Sequence, residues 1–155
     1  MSEKQATLTA TLVAGYGIAS GKANDPRFPD GSIAPQLEAF LSAGLDLRHC
    51  YSGTLNLDIS PWRYRLVAPD YRFEQLHWCK DFHPEDFYLH RLEIKPFDTW
   101  VSAYLYVPSP ETKSEHFHPQ TQIEVLAPFI SGLSMGQKID IRTKDNALVW
   151  IDEEN

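Results

Sequence analysis

The stretch Tyr51-Ser52-Gly53-Thr54-Leu55-Asn56-Leu57-Asp58-Ile59 alternates polar and apolar side chains from Thr54 onward. Successive side chains of an extended chain point to opposite faces, so residues 54–59 read as a strand. Leu55, Leu57 and Ile59 then face a core, while Thr54, Asn56 and Asp58 share the other face. An amphipathic helix would need apolar residues three and four apart. Gly53 gives the backbone just before the strand freedom to turn sharply and lets a ligand approach closely.

The same period recurs outward in both directions. Thr7, Thr9 and Thr11 alternate with Leu8, Ala10 and Leu12, predicting a half-buried strand over residues 7–13. Further strands are expected at 63–68, 71–78, 87–95, 99–107, 122–126, 138–142 and 147–151. Eleven prolines and eight glycines cut the chain into these short pieces, which favours a β-rich barrel over a helical bundle. A single clear helix is expected at 33–43, with Ser32 as its cap, Pro35 in its first turn and Gly44 past its end. Its Leu37, Phe40 and Leu41 fall on one face. Between Pro128 and Gly136 there is room for one short helix or turn. The expected fold is mainly β: a closed barrel with one α-helix and short helical turns, forming a single domain over residues 1–155.

Charge and composition narrow the functional classes. The formal charge is -7 and the cations are scattered, whereas nucleic-acid binding requires clustered cations that neutralise phosphates. No apolar run approaches the roughly 20 residues of a membrane-spanning helix. The start, Met1-Ser2-Glu3-Lys4-Gln5, lacks the apolar stretch of a signal peptide. The expectation is a cytoplasmic monomer that acts on small molecules and engages neither nucleic acid nor membrane. Cys50 and Cys79 form no C-x-x-C pair; two reduced thiols are the ordinary reading, and a disulfide between them stays open.

Three stretches carry candidate chemistry. On the polar face of 54–59, a hydroxyl, an amide carbonyl and a carboxylate follow one another. Oxygen donors of this kind suit Mg²⁺, which shares its ligands with waters and substrate phosphates. The same alternation is also the ordinary pattern of a solvent-facing strand. In Gly15-Tyr16-Gly17-Ile18-Ala19-Ser20-Gly21-Lys22, the glycines could let N–H groups converge on a phosphate; a plain turn fits as well, since neither the Walker nor the Rossmann pattern is present. In the third, Glu124 lies within the apolar run Ile123 to Leu126, preceded by His116 and His118. The histidine pair is not a zinc signature, because a closed zinc site needs four ligands.

Taken in this order, the three stretches resemble the CTP-dependent riboflavin kinase family, over about residues 11–141. The resemblance implies a cradle-loop β-barrel that phosphorylates riboflavin to FMN with CTP, or another nucleoside triphosphate, and Mg²⁺. Its most specific element is Gly53-Thr54-Leu55-Asn56, which implies Thr54 and Asn56 as the metal ligands. The loop Gly15 to Lys22 is similar to the family's nucleotide-binding loop, implying nucleotide contacts from Gly15, Tyr16, Gly17, Gly21 and Lys22. The run Ile123-Glu124-Val125-Leu126-Ala127-Pro128 implies a flavin contact from Glu124. His116 stands where the family has a flavin-contacting threonine, and the closing segment 133–141 is also similar. The glycine loop is longer than the family's, and no arginine follows Pro128. These departures motivate two alternatives: a flavin- or nucleotide-binding module without catalysis, and a kinase for another hydroxyl compound.

Overall fold

The computed structural model describes residues 4–5, 7–15, 33–78, 83–108, 121–143 and 147–152. Within these, ten strands and one helix follow in the order β1 (Lys4–Gln5), β2 (Thr7–Gly15), α1 (Ile33–Ser42), β3 (Leu55–Asp58), β4 (Trp62–Leu66), β5 (Tyr71–Leu76), β6 (Glu85–Lys95), β7 (Val101–Pro108), β8 (Gln122–Leu126), β9 (Lys138–Arg142) and β10 (Leu148–Asp152). The alternation seen in the sequence thus marks real strands, with ends displaced by at most two residues, whereas the two-residue β1 was not expected. Segment 128–136 forms turns, with Gly132 and Gly136 at positive φ.

Six strands close a ring. The order β6-β7-β8-β3-β2-β9 is completed by pairing of β9 back onto β6, and every pairing is antiparallel. The eleven-residue β6 makes closure possible: its first half pairs with β5, whereas Glu93, Ile94 and Lys95 pair with β9. A shorter strand could not serve both neighbours. Inside the ring pack Leu8, Ala10, Leu12, Leu55, Leu57, Leu92, Ile94, Leu105, Ile123, Val125, Ile139 and Ile141. A second sheet, β1-β10-β4, adds the buried Leu148 and Trp150 to this core. Burying such side chains is worth about 1.5–3 kcal/mol each, and this interior is the main source of stability.

Helix α1 covers part of the ring's outer face. Ile33, Gln36, Leu37 and Phe40 are buried at helical spacing, against Phe87, Leu89, Tyr106 and Leu126 of β6, β7 and β8. Phe40 stacks on Phe73 with ring centroids 5.1 Å apart and meets the Phe87 ring edge-on at 5.5 Å. The helix stops at Gly44, whose φ of 110° is costly for residues with a Cβ. The N–H groups of Leu45 and Gly44 bond back to the carbonyls of Phe40 and Leu41, a Schellman ending that satisfies the last carbonyls.

Candidate functional site

The candidate site is built from cross-strand neighbours. Asn56 of β3 lies opposite Ala14 of β2 on one side and Glu124 of β8 on the other. Glu124 in turn lies opposite Tyr106 of β7. Opposed residues of antiparallel strands have Cβ atoms about 4.5–5.5 Å apart and point to the same face. Asn56, Glu124 and Tyr106 therefore form one transverse row across three strands, on the side of the sheet that carries α1. Thr54 precedes Asn56 by two residues and shares its face. A bulge in β2 between Leu12 and Ala14 brings Gly15, the last residue of β2, opposite Leu55.

The polar atoms of this row are not equivalent. Thr54 is 3% exposed, and its hydroxyl donates to Oε1 of Glu124 at 2.9 Å. The donated proton leaves the lone pairs of Oγ1 available to another partner. Asn56 Oδ1 is buried and has no hydrogen-bond partner among the described residues. Such an atom costs about 1–3 kcal/mol in desolvation and is suited to a cation or a ligand donor. Asp58 is drawn into a local turn: its Oδ1 accepts the Ser60 N–H at 2.9 Å.

Two phenols border the carboxylate. Tyr106 is buried and its hydroxyl donates to Oε1 of Gln36 in the first turn of α1. Burial pushes the Tyr106 phenol well above its ordinary range, and the Glu124 and Glu85 carboxylates add to this. Burial also raises Tyr64, again with help from Glu124. Both remain neutral hydroxyls at physiological pH. Glu85 accepts a hydrogen bond from the Trp78 indole at 2.9 Å.

Thr54, Asn56 and Glu124, taken from two distant segments of sequence, are thus brought together. Tyr16, Gly17, Gly21, Lys22 and His116 lie outside the described residues. So does Cys79, while Cys50 is a buried free thiol. Among the described residues no three His, Cys, Asp or Glu side chains gather as a metal cluster. Thr54 and Asn56 offer neutral oxygens of the kind Mg²⁺ accepts when it shares its shell with phosphate and water. Gln36 and Tyr106 escaped the sequence reading. The only sequence signal was period two in β7, which aligns Ser102, Tyr104 and Tyr106, and it does not name the helix residue that meets them.

No helix of the described residues is long and apolar enough to cross a membrane. No family model matches the chain, and no curated protein matches it.

Proposed function

We propose that the chain is a Mg²⁺-dependent phosphotransferase of the riboflavin kinase type, with its six-stranded ring serving as a cradle-loop barrel and CTP, or another nucleoside triphosphate, as donor. The observation that carries this reading is the unpartnered Oδ1 of Asn56 beside the Thr54–Glu124 hydrogen bond. An internal structural role for Asn56 would have satisfied that atom, since buried polar groups are ordinarily paired.

Phosphoryl transfer depends on positioning and on neutralising charge around the phosphates. The acceptor's terminal hydroxyl oxygen forms a bond to the γ-phosphorus as the bond to the β–γ bridging oxygen breaks, and the hydroxyl proton leaves to solvent or a base. Bound Mg²⁺ would neutralise phosphate charge, held by Thr54 and Asn56. Glu124 fixes the Thr54 hydroxyl and has a carboxylate placed to accept from a ligand donor. The glycine loop, which leaves β2 at Gly15, supplies backbone N–H groups to the phosphates in this scheme. Tyr106, tied to Gln36, forms a neutral wall behind the carboxylate.

The test is incubation with riboflavin, Mg²⁺ and each of the four common nucleoside triphosphates in turn, with chromatography of the flavin products. FMN is expected with CTP or one other donor, and its formation should stop when EDTA is added. Absence of FMN with all four donors overturns the proposal.

A further inference from the structure

Among the described residues, β5 is the one strand of the large sheet that is paired on a single side: its neighbour is β6. An unpaired edge presents N–H and C=O groups to which another strand can bond. The side chains of β5 alternate along that edge. Tyr71, Phe73 and Leu76 are half-buried against the apolar cluster beneath α1, whereas Arg72 and Glu74 are exposed on the opposite face.

These two charges are left without ionic partners. The Arg72 guanidinium lies 5.7 Å from the ring centroid of Tyr88, its register partner on β6, and no carboxylate of the described residues pairs with it. Glu74 makes neither a hydrogen bond nor an ion pair among the described residues. The free edge also has a defined end. Gln75 adopts a φ of 56°, the register shifts between Phe73 and Leu76, and the Gln75 N–H donates to Oδ1 of Asp86 at 2.8 Å. A bulge of this kind bends a strand and interrupts its pairing, so the regular edge runs from Tyr71 to Glu74.

That short edge is complementary to itself. If two copies pair antiparallel about a two-fold axis at Phe73, residue 72 of each lies opposite residue 74 of the other. Arg72 then meets Glu74 of the partner subunit, Glu74 meets Arg72 of the partner subunit, and the two Phe73 residues face each other. An axis at Arg72 or at Glu74 would instead set like charges together. Opposite charges directly across a strand pair stabilise it, and like charges destabilise it. Lysines discourage edge pairing because every further copy brings the same charge; β5 carries one charge of each sign. A two-fold contact uses the same edge on both chains, so it closes at two. It would also cover Tyr71, Phe73 and Leu76, which α1 leaves half-exposed.

We propose that β5 pairs with β5 of a second copy across a two-fold axis at Phe73, joining the two sheets through reciprocal Arg72–Glu74 ion pairs. The contact goes beyond the phosphotransferase reading and does not depend on it. A dimer of this kind departs from the monomer that the sequence alone suggests.

The experiment is sedimentation velocity of the full chain from about 5 to about 200 µM, because a small interface dissociates at micromolar concentration. The wild type should pass from monomer to dimer over this range. Arg72→Glu and Glu74→Arg should each weaken association by about 10-fold or more, since each sets like charges opposite each other at both crossings. An equimolar mixture of the two variants should recover the dimer, because Glu at 72 and Glu74 of one chain then meet Arg at 74 and Arg72 of the other. The chain carrying both substitutions should dimerise as the wild type does. A wild type that stays monomeric throughout overturns self-pairing and leaves the edge to a different chain. Dimers that survive either single substitution, or a mixture that associates no better than its components, place the contact elsewhere and overturn it as well.

Discussion

The Thr54 hydroxyl donates to the Glu124 carboxylate at 2.9 Å, joining residues seventy positions apart. Adjacency of β3 and β8 makes this bond possible, because Asn56 and Glu124 are register partners and Thr54 lies diagonally across. A nearly buried hydroxyl that donates to a carboxylate is oriented, and an oriented hydroxyl presents its lone pairs in a fixed direction. That relationship decides how each residue of the row responds to substitution.

Asn56→Ala separates function from folding. Oδ1 has no hydrogen bond to lose among the described residues, so its removal takes away a desolvation cost of about 1–3 kcal/mol. The variant should melt at or above the wild-type temperature by circular dichroism. On the proposed phosphotransferase reading, Mg²⁺-dependent FMN formation should fall by at least about 100-fold, the loss of roughly 2.7 kcal/mol of transition-state stabilisation. Retained turnover would remove Asn56 from the metal site.

Thr54→Val keeps shape and deletes the donor. Hydrogen bonds to charged groups contribute about 1.5–3 kcal/mol, and at this chain length 1 kcal/mol moves Tm by about 2–4 °C. A fall of roughly 3–12 °C is expected, with Thr54→Ser much closer to wild type. Equal melting of the Val and Ser variants would show that the bond contributes nothing.

Asp70 should govern part of the acid limb of stability. Burial pushes its carboxyl up, but the Arg91 N–H and guanidinium, with His90, pull it further down, and the net position is below 3.8. A carboxyl depressed on folding stabilises the protein above its unfolded value, and that contribution fades as pH falls through the folded one. Melting temperature followed from pH 6 to pH 2 should therefore drop below about pH 4, with a shallower slope in Asp70→Asn. Parallel profiles for the two proteins would show that Asp70 is not linked to folding.

Cys50 should be inert until the protein unfolds. Burial raises its thiol to about 11, so little thiolate exists near neutral pH, and thiolate is the reactive form. Iodoacetamide at pH 8 should leave the Cys50 peptide unmodified in native protein and label it fully in 6 M guanidinium, read by mass mapping. Rapid native labelling of Cys50 would contradict its burial.

Local pattern alone determined which segments are extended and where the helix stops. Period two at residues 54–59 specified the inward Leu55 and Leu57 and the shared face of Thr54 and Asn56. Gly44 announced the helix end because one residue's φ decides it. These properties depend on a few consecutive side chains. Tertiary structure alone decided that β2 lies between β3 and β9, that β6 is long enough to carry two partners on one edge, and that Gln36 meets Tyr106. It also set Glu124 beside the Thr54–Asn56 pair, where the linear order leaves it as a separate acid. Strand pairing and helix docking are set by burial summed over the whole chain, and the same alternating pattern serves almost any order of neighbours.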